Sequence, residues 1–240
     1  MFNKIKELIK QSAFQINIFS IFHHSFIMRK WIYKWILNNK EFINWKVLDF
    51  GCWEKPYKSI LKFDEYIWVD FKSSGHNNAQ NEVDFFWDWK KLPFKNDEFD
   101  TIITTEVFEH IFNIDEVLLE LNRVLKKWGN IIITIPFVIH EHEIPYDFAR
   151  YTHFWINYLL EKYWFDVLKN EQYWSYFQTI LQLNIWFLGK ITDTKFKYLT
   201  LFLRIIFVAP LMILINVLSL FSPKIKSWLY LSNVIVWEKK

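Results

Sequence analysis

A single cysteine, Cys52, excludes any internal disulfide and fits a reducing compartment. A secretory signal is missing too, because residues 1–40 hold no small-residue cleavage site and carry lysines throughout. Repeats and low-complexity segments are absent. In the greasiest stretch, 198–221, Arg204, Pro210 and Asn216 interrupt the apolar run. Its longest part free of charged or amide side chains is Ile205–Ile215, short of the ~20 residues a spanning helix needs. The folded body also lacks the basic face that a nucleic-acid binder needs, which excludes that partner. Residues 41–172 hold 14 Lys/Arg against 23 acids, whereas the flanks 1–40 and 173–240 are each +6. An acidic body between basic, apolar flanks suits a cytoplasmic domain whose ends touch an anionic membrane surface. Glycine is scarce as well: 4 in 240 residues, where average usage gives about 17. Tryptophan, at 14, is in surplus.

What is present alternates. KVLDF (46–50), EYIWVDF (65–71), DTIITTEV (100–107) and NIIITIPF (130–137) read as buried parallel strands rich in Ile, Val and Thr. Between the last two, 113–129 places Ile114, Val117, Leu118, Leu121, Val124 and Leu125 at helical spacing, with a basic last turn before Gly129. Strand, crossover helix and strand predict an α/β, Rossmann-like doubly wound sheet. Such sheets bind ligands beyond the carboxyl ends of their strands. The residues following 50, 71, 105 and 137 are therefore the candidates.

Those strand ends read VLDFGC-x-EKPY, YI-x-VDF, D-x-KKLPFKNDEFDTIITTEVFEHI and LNRVLKK-x-GNIIITIPF. Over about residues 42–172 this ordered set resembles the class I S-adenosylmethionine-dependent methyltransferases, in particular the group whose acidic loop reads D-x-x-x-LPF. The resemblance implies seven mostly parallel strands with an antiparallel last strand, S-adenosyl-L-methionine as cofactor, and a set of cofactor residues. Asp49, Gly51 and position 53 would line the methionine moiety, and Asp70 would accept from the ribose hydroxyls. Asp88 and Leu92 would flank the adenine, and Thr105 and Glu106 would lie under the sulfonium and its amino-acid tail. Each of the acids also has a plain reading as a turn or cap residue.

Tryptophan recurs where that family has glycine: Trp53 in the first loop, Trp68, Trp89, Trp128, Trp164, and, in turn-like context, Trp45 and Trp155. Some bacterial lineages read UGA as glycine, and another common table reads it as tryptophan. The wealth of Lys, Asn, Ile and Phe fits an AT-rich genome. On this reading seven to ten of the tryptophans are glycine in the living protein. If Trp53 is genuine, an indole fills the methionine pocket and the chain is a catalytically dead, membrane-associated relative.

The segment HEHEIPYDFARYTHF (140–154) follows the fifth strand, where the resemblance places the acceptor pocket. His140, His142, Asp147, Arg150 and Tyr151 are the catalytic candidates, a histidine or carboxylate as proton acceptor and Arg150 as holder of an anionic acceptor. For Asp147 and Arg150 a loop-anchoring role stands equally. His140-x-His142 with flanking glutamates is a loose metal signature lacking a fixed third ligand, so no metal is expected. The expected acceptor is a hydroxyl on a glycan, lipid-linked sugar or small lipid-like molecule, with a quinone-type carbon as the alternative.

The expected organisation is an N-terminal helical cap (1–40), a methyltransferase core (41–172), a basic-flanked hydrophobic helical hairpin (173–230) and a final strand (231–240) returning to the core sheet. Because 165–170 and 233–237 would share one sheet, a single membrane pass between them is excluded, and a hairpin in the membrane plane fits. Oligomeric state is left open. Mass spectrometry of the tryptic peptide 47–58 from the native source is expected to weigh position 53 as glycine; a tryptophan mass there refutes the codon reading.

Overall fold

The structure, a computed structural model, describes residues 25–51, 57–71, 83–88, 90–220 and 228–240. The chain divides into two compact units, 37–173 with 231–240, and 1–36 with 174–230. In the first, seven strands form one sheet: β1 (Lys46–Phe50), β2 (Glu65–Phe71), β3 (Phe85–Trp87), β4 (Phe99–Thr105), β5 (Leu125–Pro136), β6 (Phe165–Tyr173) and β7 (Ser232–Lys239). The order is β3-β2-β1-β4-β5-β7-β6, with β7 antiparallel between β5 and β6. This is the doubly wound, mostly parallel sheet that the alternation predicts. Its strand order reverses between β1 and β4, so a switch point opens above Asp49 and Thr105.

The core follows from the pattern. Ile102 and Ile103 on β4 and Ile131, Ile132, Ile133 and Ile135 on β5 are all buried, because helices cover both faces of a parallel sheet. The crossover helix α2 (Ile114–Val124) buries Val117, Leu118, Leu121 and Val124, each contributing about 1.5–3 kcal/mol. α3 (His153–Lys162) begins at Thr152, whose side chain accepts from the Trp155 amide.

The crossover helix stops five residues short of the expected 129. Leu125 is extended (φ −79°, ψ 135°) and already in the core. The Lys239 ammonium, brought in by β7, takes the carbonyls of Asn122 and Leu125 at 2.8 and 2.6 Å. A cation on the orphan carbonyls of a helix end satisfies them and favours termination there. Residues 126–129 then make an irregular excursion before regular pairing resumes at Thr101↔Asn130.

The second unit is helical. α1 (Phe26–Asn38) runs from it into the sheet unit; residues 1–24 of the expected cap, His23-His24 included, lie outside the described residues. α4 (Tyr176–Ile191) carries a complete Ser175–Gln178 capping box. It packs against α6 (Ala209–Leu220), which α5 (Lys197–Leu203) joins through a π-turn at Arg204–Val208. Pro210 does not break this helix. The Ala209 amide reaches back to the Arg204 carbonyl, and that wider turn takes up the ring clash and missing donor of proline. The continuous stretch Lys197–Ile215 is therefore long and apolar enough, by length and composition, to cross a membrane.

Among the described residues, four tryptophans occupy left-handed backbone: Trp45 (φ 30°), Trp128 (64°), Trp164 (63°) and Trp174 (77°). That region suits glycine and disfavours bulky residues. Trp164 sits just past the end of α3, the position helices commonly give to glycine. Trp174 escaped the sequence reading. Trp68 in β2 and Trp155 in α3 do not have positive φ, and Trp53 and Trp89 lie outside the described residues. Trp128 and Trp164 are more than half exposed, so their rings bury little. Trp128→Gly and Trp164→Gly should each raise stability by about 1 kcal/mol, read as a Tm gain of ~2–4 °C. Trp155→Gly, within a helix, should lower it by a similar amount. Equal responses at all three sites would refute the glycine assignment.

Candidate active site at the carboxyl ends of the strands

Two buried carboxylates, Asp49 and Asp70, close β1 and β2. Asp49 accepts from the Tyr66 hydroxyl, and Asp70 accepts from the Phe71 amide at 2.7 Å. Between them the chain leaves β1 through Gly51, at φ 80°, with its amide on the Val69 carbonyl at 2.7 Å. A Cβ at Gly51 would lie 2.5 Å from a Val107 methyl. Only glycine fits this turn, both by backbone angle and by space. Position 53 lies outside the described residues.

Further along the same edge the predicted residues separate. Asp88 follows β3, exposed, with its carboxylate on the Lys90 amide at 3.3 Å. Leu92 is a core residue, 1% exposed. Its loop is fixed from α2: Glu120 accepts from the Leu92 amide at 2.8 Å, and Arg123 donates to the carbonyls of Leu92 and Phe94 at 3.1 and 2.8 Å. Thr105 ends β4, its hydroxyl 3.5 Å from that of Tyr57. Glu106 follows at φ 54°, with a buried carboxyl beside the Thr134 hydroxyl. Burial pushes this carboxyl up to about 7, with the Thr134 hydroxyl and then the Arg150 charge opposing.

On the acceptor side the loop after β5 folds back over the short turn Phe108–His110, where the amides of Phe148 and Ala149 both donate to the Glu109 carbonyl, at 2.8 and 3.2 Å. His142 is thereby set beside Glu109 and His110, whereas His140 is exposed. Asp147 binds Arg150 in two-pronged fashion, at 2.5 and 2.7 Å, and accepts from the His142 amide at 3.0 Å. Burial alone would raise its carboxyl; the Arg150 and His142 bonds outweigh that and hold it down at about 2. The Asp147–Arg150 pair therefore anchors the loop. Tyr151 belongs to the hydrophobic core, and burial pushes its hydroxyl up to about 12, which leaves it a poor base near neutrality.

Glu109 and His110 went unselected from the sequence. The Glu109 carboxyl is fully buried; burial first, and the nearby Glu106 second, push it well above the usual carboxylate range, against its own backbone amide and the Arg150 charge. Burial lowers His110. The signal available was the EVFEH spelling itself, which puts two acids and a histidine immediately past a strand end.

Fold and strand order together define a Rossmann-like domain. Residues 48–133 match the family described as a methyltransferase domain. Solved structures similar in fold include an S-adenosylmethionine-dependent methyltransferase from Archaeoglobus fulgidus (13% identity, 88% of this chain and 94% of that one, TM-score 0.54). Another is phosphoethanolamine N-methyltransferase 2 from Haemonchus contortus in complex with S-adenosyl-L-methionine (16%, 88% and 57%, TM-score 0.53). A third is the cyclopropane synthase MmaA2 from Mycobacterium tuberculosis (11%, 88% and 84%, TM-score 0.54). Comparison with curated proteins found no match. The matched segment, 48–133 of the sheet unit, is a methyltransferase domain, and the sheet around it has the Rossmann-like fold of S-adenosylmethionine-dependent methyltransferases, whose cofactor is S-adenosylmethionine.

The residues present fit that group. Its sulfonium and ammonium are cationic and its ribose offers hydroxyl donors, and the strand ends present the acids Asp49, Asp70 and Glu106 around a turn with no room for a side chain. Gly51→Ala should cost about 2–4 kcal/mol of stability, from overpacking and a left-handed non-glycine residue. Adding Val107→Ala should return the steric share, leaving the backbone strain. Thermal and denaturant unfolding of the two variants checks this; a neutral Gly51→Ala would show that the turn is not constrained as described.

Proposed function

We propose that this methyltransferase O-methylates a hydroxyl of a glycan, a lipid-linked sugar or a small lipid-like molecule at the cytoplasmic face of a membrane. The observation that carries the reading is the Glu109–His110–His142 cluster, held beyond β4 and β5 by the Asp147–Arg150 clamp. Methyl transfer from a sulfonium to oxygen needs the hydroxyl proton taken as the oxygen attacks, and this cluster supplies proton acceptors where the acceptor pocket should lie. When bound, S-adenosylmethionine supplies an activated methyl group with a good leaving group. Positioning therefore contributes most of the rate. Asp147 and Arg150 act by fixing His142, and Tyr151 by packing the base of the loop.

The helical unit supports the choice of a lipid-like acceptor. Phe202, Ile205, Ile206, Phe207, Ile213 and Leu214 are exposed along α5, the π-turn and α6, and Lys190, Lys195 and Lys197 stand exposed at the start of that stretch. An exposed apolar helix beside lysines is the pattern of an interfacial segment.

The test is transfer from methyl-labelled S-adenosylmethionine into membranes of the source cells by the full chain. The expected product is soluble in organic solvent, stable to mild base, and releases labelled methyl iodide with hydriodic acid, as an ether does. Label that resists hydriodic acid would mean carbon methylation. Label confined to water-soluble product, or no transfer at all, would overturn the reading. Asp70→Ala should lower cofactor affinity at least tenfold by calorimetry, as loss of one charged hydrogen-bond acceptor predicts.

A further inference from the structure

The cluster that fixes the acceptor side contains more acid than its surroundings compensate. Glu106 and Glu109 bury both carboxyl groups, and what eases them is slight: the Thr134 hydroxyl beside Glu106, the backbone amide of Glu109 beside its own carboxyl, and the charge of Arg150. Such groups cost free energy unless a partner is supplied. The two histidines beside them are oriented as ligands. His110 Nδ1 is 2.7 Å from the Tyr146 carbonyl, and His142 Nδ1 is 3.1 Å from the His140 carbonyl. A carbonyl only accepts, so each Nδ1 carries a proton, which leaves Nε2 as the nitrogen available to a ligand. Both Nε2 atoms stand near one oxygen. Glu109 Oε1 is 3.7 Å from His110 Nε2 and 3.9 Å from His142 Nε2.

Those spacings are too long for hydrogen bonds. They match two donors on a shared ion: ligands each about 2.1 Å from a metal stand roughly 3 to 4.2 Å apart. One donor atom from each of the three residues lies within 4.8 Å of the other two, so a slight inward movement closes the set. Outer carbonyls that fix the tautomer of ligating histidines are a regular companion of metal sites. A second carboxylate, Glu143, stands 3.7 Å from His110 Nε2 at the rim.

We propose that Glu109, His110 and His142 bind one divalent first-row metal ion, of the manganese or zinc kind, with Glu106 as the second buried charge that the ion offsets. Two imidazoles and a carboxylate suit these ions, and they leave coordination positions open for water or an acceptor oxygen. The sequence reading paired His142 with His140 and expected no metal. The fold instead pairs His142 with residues of the turn after β4, across more than 30 positions of sequence.

The ion's use by the acceptor rests on the methyl-transfer reading, in which nitrogens and a carboxylate held by the ion could no longer take the proton and an ion-bound water would do so instead; binding does not rest on it, so the test needs no turnover. The full-length chain, stripped with a chelator, is titrated with Mn2+ while the electron paramagnetic resonance signal of free Mn2+ is followed; equilibrium dialysis with Zn2+ runs alongside. One ion per chain is expected, weakened at least tenfold in His142→Ala and in Glu109→Gln and unchanged in His153→Ala. His142 lies on a loop and Glu109→Gln keeps shape, so near-UV circular dichroism should report both variants as folded. Failure of both ions to bind one per chain overturns the proposal. So does binding that survives both variants, or that is lost equally in His153→Ala.

Discussion

The polar cluster beyond β4 and β5 depends on one main-chain contact. The Glu109 carbonyl accepts from the amides of Phe148 and Ala149, and so pins the middle of the loop after β5 onto the turn after β4. Everything chemical on that side is downstream of the contact. It sets His142 against His110, with ring centroids 4.8 Å apart, and brings Asp147 close enough to the His142 amide to hold it. Loops of this length are otherwise free to sample many arrangements, and the entropy of ordering one is large. Here two backbone bonds and the paired bonds between Arg150 and Asp147 carry that cost. The site's geometry is therefore a property of the β4–β5 pair as much as of the loop.

That pair also explains how so much acid stays buried. Glu106 is left-handed, yet its amide bonds to the Thr134 carbonyl on β5 at 2.8 Å. Every isoleucine of the flanking strands is buried. A strained residue with a buried carboxyl persists only where the surrounding packing over-determines it. An apolar, fully paired sheet is such a surrounding. The same environment raises the proton affinity of both Glu106 and Glu109, so the site stores unfavourable electrostatics that a cation or a proton must relieve.

Much of the sheet was legible because its signals are local. TIITT and NIIITIP announce buried strands through β-branched runs, and VLDFG and YIWVDF mark strand ends by an acid and a turn. The crossover helix was legible in its apolar stripe but not in its end, because the group that terminates it, Lys239, comes from the far end of the chain. Gly51 was legible from its turn, although the Val107 methyl that forbids a side chain there is a tertiary fact. The acceptor site was half legible. His142, Asp147 and Arg150 stood out as a polar run, whereas Glu109 and His110 were hidden in a five-residue EVFEH whose acids read equally well as solvated. Their burial is decided by what folds over them. Tyr151 and Leu92 illustrate the opposite error, since neighbours of a site need not face it.

Topology further restricts how the helical unit meets a membrane in the proposed reading. β6 ends and β7 begins side by side: Tyr173 is paired with Ser232, and the Leu231 amide bonds to the Tyr173 carbonyl at 3.0 Å. The segment between them leaves and returns at one point of the sheet, so any membrane crossings within it must come in even number. Lys197–Ile215 qualifies as a span by length and composition. Its packing partner α4 has 16 residues, which at 1.5 Å per residue reach only about 24 Å against a hydrocarbon core of ~30 Å. The described residues thus supply one long apolar helix and one short one. A pair so mismatched serves poorly as two crossings and well as a hairpin lying in the interface, its apolar face against acyl chains and its lysines among headgroups.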